Sequence, residues 1–195
     1  MKILGFDTAT NWCSIGLIDG EALIGEWTIR CKMTQLTRLV PGIKMLLESK
    51  DIKLSDLACI AVTKGPGSFT GVRLGLVTAR TLSQVTAIDL AGVNSLETLV
   101  YQLGIKEGIT VPMLDARKGE IYAGFYRWKD NKIIQIKESS LYKPVDLASE
   151  INTINEPCNF TGHDTGHYRD DITRNVKIPF RWAPDIHGII RGSSV

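Results

Sequence analysis

Three stretches of this chain set reactive side chains beside residues that interrupt regular structure. Asp7-Thr8-Ala9-Thr10 offers a carboxylate and two hydroxyls, a set that could take a phosphate or a metal ion, or could simply satisfy a turn's own backbone. Gly65-Pro66-Gly67-Ser68-Phe69-Thr70-Gly71-Val72-Arg73-Leu74-Gly75 opens with glycines that allow backbone angles closed to other residues. Ser68 or Thr70 can cap the helix that follows, and a capped helix start is a ready anion site. The run lacks the Lys-Ser/Thr pair of a Walker A loop, so it is either an anion cradle of another kind or a tight strand-to-helix turn that binds nothing. Candidate ligand residues are therefore Asp7, Thr8, Gly67 and Ser68. The third stretch, Asp115-Ala116-Arg117-Lys118-Gly119-Glu120, is a charged turn, and solvation alone can account for its charges.

Other chemistry is thinner. His163-Asp164 and His167 have the i, i+4 spacing of a metal pair, but Gly162 and Gly166 argue against the helix this would need. Ser68 has no base close in sequence, and three histidines in the whole chain give little support for a Ser-His-Asp set. The four cysteines are scattered, with no Cys-x-x-Cys pair, and read as buried or bystander thiols. We expect no cofactor and no metal.

These stretches must be held by elements whose periods can be read. Lys2 to Asp7, Trp12 to Ile18 and Ala22 to Ile29 read as strands; Cys13, Ile15 and Leu17 alternate with Ser14 and Gly16, and Asp19-Gly20 marks a hairpin turn. Leu36, Leu39, Val40, Ile43, Leu46 and Leu47 then fall on one helical face. Pro41 should kink that helix or delay its start. Leu57 to Thr63 is a buried strand, Gly71 to Gln84 a second helix, Ala87 to Val93 another strand, and Ser95 an N-cap for a helix through Leu103. On the second helix Gly71, Gly75 and Ala79 form a small-residue stripe, which could admit a partner's helix or lie on the protein's own sheet. Later, Thr110 to Leu114, Glu120 to Trp128 and Lys132 to Lys137 read as strands, and a short helix spans Val145 to Ile151. Beyond Glu156 the signals weaken, and no internal repeat is visible. The expected division is residues 1–104 and 105–195, with the first part a mixed α/β sheet whose crossovers are helical.

Composition agrees. At 195 residues, 44% hydrophobic and 23% charged, the chain can bury roughly 70% of its unfolded surface without a metal or disulfide staple. A formal net charge of +2 is too small to mark a nucleic-acid or membrane binder by bulk electrostatics, although a local basic patch remains compatible with it. No apolar run reaches the roughly 18 residues of a spanning helix or forms a signal-peptide core, so a cytosolic location is expected.

Ile3-Leu4-Gly5-Phe6-Asp7-Thr8-Ala9-Thr10, the run from Gly65 to Gly75, and Asp115 to Tyr122 together resemble the bacterial TsaB (YeaZ) family in order and spacing; Ala183-Pro184-Asp185 is similar to a motif near the family's C-terminus. The resemblance implies an α/β fold of the actin/hexokinase/chaperone ATPase (ASKHA) type, with two subdomains built on ribonuclease H-like sheets. It implies a scaffold role in making threonylcarbamoyladenosine beside the tRNA anticodon. The partners implied are a TsaD-type catalytic subunit, a TsaE-type ATPase, a second copy when the chain is alone, and tRNA through the complex only. The partner surface implied is the two helices, with Leu36, Leu39, Val40, Ile43, Gly71, Val72, Gly75, Thr78, Ala79 and Leu82, rimmed by Arg38, Arg73 and Arg80. Gly75→Arg is accordingly expected to break pairing and spare the fold.

Set beside that resemblance, the sequence lacks the hardware of an enzyme. The paired histidines of TsaD subunits have no counterpart in Asn94-Ser95-Leu96-Glu97, Ala9 stands where ATPases of the superfamily usually have glycine, and no Gly-Gly pair occurs anywhere. Met33-Thr34-Gln35 stands where family members often carry a histidine, and the C-terminal region is shorter than usual. An autonomous ASKHA-type small-molecule kinase or ATPase is the alternative, and a peptidase ranks last.

Overall fold

The computed structural model describes residues 1–31 and 34–195; Met33, part of the expected departure at the start of the first helix, lies outside the described residues. The described chain forms two compact units, Met1–Ser95 with Ile190–Val195, and Leu96–Ile189. The division falls at Ser95 rather than at the expected 104, and the last six residues return to the first unit.

In the first unit β1 (Lys2–Asp7), β2 (Trp12–Asp19) and β3 (Ala22–Arg30) form the expected antiparallel meander. Helix α1 (Gln35–Glu48) leads to β4 (Cys59–Thr63), and α2 (Phe69–Thr86) to β5 (Asp89–Val93), both parallel to β1, so the sheet runs β3-β2-β1-β4-β5. Period-two alternation puts Leu4, Phe6, Cys13, Ile15 and Leu17 in one core with Leu39, Ile43, Leu46, Leu47 and Ala79 of the helices. Pro41 neither delays α1 nor ends it: it lies inside the helix on an exposed position, where water can serve the carbonyl its missing N–H would have bonded.

Gly5 and Gly16, register partners on β1 and β2, accept the 3₁₀ turn Gly192–Ser194 against the sheet, since a β-carbon on either would overlap that turn's backbone. The Gly192 N–H donates to Ser14 Oγ at 2.8 Å, and Ser14 shares a 2.6 Å hydrogen bond with Thr28; Ser193 Oγ donates to Glu26.

The second unit follows helix α3 (Ser95–Leu103) with β6 (Ile109–Arg117), β7 (Glu120–Lys129) and β8 (Lys132–Tyr142), another antiparallel meander. Helix α4 (Pro144–Ile154) leads to β9 (Cys158–Thr161), and α5 (Arg169–Asn175) to β10 (Phe180–Trp182). The order is β10-β9-β6-β7-β8, with β9 parallel to both β6 and β10. This is the chain path of the first sheet again, a structural repeat that the sequence hides. Phe125, Phe160, Leu147, Ile151 and Ile172 centre its core. Among the described residues no helix is long and apolar enough to cross a membrane.

Candidate functional site

The first unit's polar centre lies where β1 and β4 end. Asp7 is fully buried, and its carboxylate is the hub: Thr63 Oγ1 donates to Oδ1 at 2.6 Å, the Ala9 N–H to Oδ1 at 3.1 Å and Thr10 Oγ1 to Oδ2 at 3.4 Å. Burial pushes its pKa up from 3.8 to about 6, against the pull of those hydrogen bonds. Thr10 thus serves the turn's own carboxylate, and Thr63, the closest partner, is 56 residues away in sequence and carries no local signal.

The Gly65–Ser68 loop closes on this hub. The Gly65–Pro66 peptide is cis, and Gly65 and Gly67 take φ of 103° and 157°. The Ser68 N–H donates to Ala9 O at 2.7 Å, and a β-carbon on Gly67 would overlap that same carbonyl. Ser68 is the N-cap of α2, its Oγ accepting from the Gly71 N–H at 3.4 Å, as its position predicts. Thr8 is spent differently: its Oγ1 donates to Gly71 O at 2.7 Å, which ties the β1–β2 loop to the first turn of α2. Asp7, Thr8, Gly67 and Ser68 are thus brought together, each engaged with the protein's own backbone or hydroxyls.

The small-residue stripe faces this loop and the sheet. Gly71, Gly75 and Ala79 are buried; a β-carbon on Gly71 would overlap Thr8 O, and one on Gly75 would stand 2.7 Å from Thr8 Oγ1 and 3.2 Å from Val62. Leu39 and Ile43 are likewise core residues. The expectation for Gly75→Arg therefore needs correcting, because an arginine there has to displace Thr8 and Val62, and the fold suffers before any partner is lost. The opposite faces are the open ones. Leu36 and Val40 of α1 are 71% and 55% exposed, and Phe69 and Val77 of α2 are 68% and 65% exposed. Val72, Thr78 and Leu82 lie at the border, half-buried, while Arg38, Arg73 and Arg80 are exposed, with the Arg73 guanidinium 3.8 Å from the centre of the Phe69 ring. Phe69 and Val77, which the sequence reading does not include in the partner surface, sit across the helix from the glycines, where the 3.6-residue period places them once the stripe's direction is known.

In the second unit the charged turn is pinned from beneath. Asp115 Oδ1 accepts from the Arg117 N–H at 2.8 Å and from Tyr168 Oη at 3.0 Å, and Tyr168 Oη also lies 3.3 Å from Glu120 O. Burial and the neighbouring carboxylates raise the Tyr168 pKa to about 12. Arg117 and Lys118 stay exposed at the tip. His163 and His167 are not on a shared helix: His167 belongs to the 3₁₀ turn Gly166–Tyr168, and His163 Nε2 lies 3.1 Å from Asp164 Oδ1. Among the described residues no group of three His, Cys, Asp or Glu could hold a metal ion, and all four cysteines are free.

Two sheets, each a meander extended by parallel strands over crossover helices, with a buried Asp ending the first strand, define the actin/hexokinase-like ASKHA class of fold. The chain superposes in full on the ROK hexokinase of Thermus thermophilus, covering 97% of it with TM-score 0.59 at 11% identity. It is more similar to YeaZ from Pseudomonas aeruginosa, with TM-score 0.79, 21% identity, and 99% of this chain and 87% of that one covered. Residues 33–176 match the model of the TsaD family, tRNA N6-adenosine threonylcarbamoyltransferase. Proteins called tRNA threonylcarbamoyladenosine biosynthesis protein TsaB are 34% identical in Bacillus subtilis, over 88% of this chain and 75% of that protein, and 33% identical in Escherichia coli, over 77% and 65%. The chain belongs to the TsaB (YeaZ) family, and it spans about two thirds to three quarters of the length of these two relatives.

Proposed function

We propose that this chain serves tRNA threonylcarbamoyladenosine biosynthesis as a docking subunit without chemistry of its own. It pairs with a TsaD-type catalytic subunit through the outward faces of α1 and α2, a TsaE-type ATPase joins the pair, and the same faces bring two copies together when the chain is alone. The observation that carries this reading is the division of α2: its small residues are used against Thr8 and Val62, which leaves Phe69, Leu76 and Val77 exposed beside Leu36 and Val40 of α1. Exposed apolar faces of this kind seek cover. The polar centre supports the passive half of the reading, since Asp7 and Ser68 are occupied by Thr63, Ala9 and Gly71. Ala9 also stands where superfamily ATPases usually carry glycine.

The test is genetic and chemical. Cells depleted of their own TsaB, and supplied with this chain, recover threonylcarbamoyladenosine in hydrolysed tRNA by mass spectrometry. Val40→Glu with Val77→Glu leaves the melting temperature almost unchanged, since exposed substitutions move stability by about 0.5 kcal/mol or less. The same pair of changes abolishes co-purification with the TsaD-type subunit and the recovery of the nucleoside. Wild-type yields of that complex from the double variant would overturn the docking face. The alternative, an autonomous kinase or ATPase, is favoured by the Gly65–Ser68 loop lying beside Asp7; steady phosphate release from ATP by the pure chain would establish it instead.

A further inference from the structure

The outward face of α2 carries charge as well as apolar surface. Phe69, Arg73, Leu76, Val77, Arg80 and Gln84 fall at i, i+4, i+7, i+8, i+11 and i+15, on the side of the helix away from Gly71, Gly75 and Ala79, and all six are exposed. Two arginines, two turns apart, therefore stand inside the stripe that docking would bury. The Arg73 guanidinium lies 3.8 Å from the centre of the Phe69 ring. Stacking of that kind uses the flat faces of a guanidinium and leaves its N–H edges for a bidentate acceptor.

The two helices supply no such acceptor. The 18 residues of α2 include no Asp or Glu, and Glu48, the one carboxylate of α1, lies 3.7 Å from Lys44. Among the described residues neither Arg73 nor Arg80 forms an ion pair. The two occupants proposed for this face meet the arginines differently. A two-fold pair is self-complementary. With its axis at the middle of the stripe, between Leu76 and Val77, an antiparallel pair sets Arg73 of one copy opposite Arg80 of the other. A parallel pair sets each arginine opposite its own counterpart. Either way guanidinium groups lose water against like charge, which opposes pairing. A different chain with carboxylates at matching places turns the same desolvation into charge-assisted, bidentate hydrogen bonds.

We propose that Arg73 and Arg80 decide which occupant takes this face: a helix of another chain that sets two carboxylates about 10 Å apart along its axis, against a second copy of this chain. The inference rests on the docking face proposed above and adds the charge that chooses between its two occupants. The expected bearer of the carboxylates is the TsaD-type subunit.

The test uses the full chain and a charge-reversed copy, Arg73→Glu with Arg80→Glu, which stands in for the carboxylate-bearing partner. Native mass spectrometry counts the dimers in an equal mixture, and sedimentation over a series of salt concentrations measures their strength. Mixed dimers are expected to be at least about 10-fold tighter than either chain's pairing with itself, and to loosen as salt rises while the wild type alone tightens. Arg73→Gln with Arg80→Gln is expected to pair with itself more tightly than the wild type and to respond to salt less than either. The same variant should bind the TsaD-type subunit about 30-fold more weakly or worse, because it leaves carboxylates buried without partners. Arg73→Lys with Arg80→Lys keeps the direction of both salt responses, since it keeps the charge. Melting curves identify any variant that has unfolded. The proposal is overturned if mixed dimers form no more often than chance, if the wild type pairs with itself more weakly as salt rises, or if the Gln variant binds the TsaD-type subunit as the wild type does. Co-purification separates this inference from the reading beneath it. Wild-type yield from Val40→Glu with Val77→Glu removes the docking face itself, whereas loss there beside unchanged binding of the Gln variant removes only the role of the arginines.

Discussion

The two sheets trace the same path, β1 to β5 and β6 to β10, each a meander with parallel strands added beyond its first strand, yet they spend their residues in opposite ways at equivalent places. Where β1 ends, Asp7 is sealed under Thr63, Thr10 and the loop before α2, and the crossover helix comes close enough to need glycine at 71 and 75. Where β6 ends, Asp115 is half-exposed, the turn beyond it is open at Gly119, and a tyrosine hydroxyl supplies the tie that packing supplies in the first sheet. The crossovers differ to match. Helix α2 has 18 residues and α5 has seven. A long helix pressed onto the sheet by small residues keeps a full outer face exposed, with Phe69, Leu76 and Val77 on it, whereas a short one has little outer face. The shared path therefore sets where loops gather, and side-chain size decides whether a loop becomes core or surface.

The two strand ends differ most at Gly71. A β-carbon there overlaps Thr8 O and strains the Thr8 Oγ1 to Gly71 O bond. Overpacking costs about 1–3 kcal/mol or more, so Gly71→Ala should lose about 3 kcal/mol despite the better helix propensity of alanine. That is about 6–12 °C in melting temperature for a chain of this size. Gly119→Ala in the second sheet meets open space and bears only the left-handed backbone at φ 81°, about 1 kcal/mol. Equal losses in the two variants, measured by thermal denaturation, would mean that the two turns are packed alike.

Asp7 gives an effect of similar size and opposite sign. A carboxyl whose pKa is raised on folding favours the protonated form in the native state. It subtracts nothing below the unfolded value near 4, and subtracts progressively more stability as pH rises towards about 6. The rise from 3.8 to about 6 corresponds to about 3 kcal/mol above pH 6. Asp7→Asn keeps an acceptor for Thr63 and Ala9 and removes the charge. The variant should therefore unfold at a higher denaturant midpoint than the wild type at pH 8, with the gap closing by pH 4. A pH-independent gap would show that packing, and not the buried charge, distinguishes the end of β1.

Sequence reached the first sheet because its signals are local. Alternation from Trp12 to Ile18, the Asp19-Gly20 turn and the Ser68 cap each act over a few residues, and their elements form where expected. The stripe Gly71-Gly75-Ala79 was legible as a stripe and illegible in direction, because helical period does not say on which side the sheet lies. Long-range partners left no trace: nothing near Asp7 points to Thr63, and nothing near Gly5 or Gly16 points to Gly192. The second copy of the fold was hidden for a related reason. Strands β9 and β10 have four and three residues, too few to show a period, and the β6 strand runs on through Asp115 to Arg117, where charges suggest a turn. The tie that permits this extension, Tyr168, is 53 residues from Asp115.

Tyr168 supplies the finest test of the contrast. Tyr168→Phe leaves a buried ring in the second core and deletes only the hydroxyl, which bonds Asp115 Oδ1 at 3.0 Å and reaches Glu120 O at 3.3 Å. Glu120 starts β7 and is half-exposed, so water can replace part of what is lost. The expected loss is about 1 kcal/mol, the net worth of a typical intramolecular hydrogen bond. For a chain of this size that is about 2–4 °C. Local order should respond more than global stability. Without the hydroxyl the Asp115 carboxylate is free to turn away from the Arg117 N–H, which it accepts at 2.8 Å, and hydrogen exchange at that amide should quicken while exchange in β1 and β4 stays unchanged. A loss as large as that of Gly71→Ala would instead place Asp115, like Asp7, at the hub of a closed core.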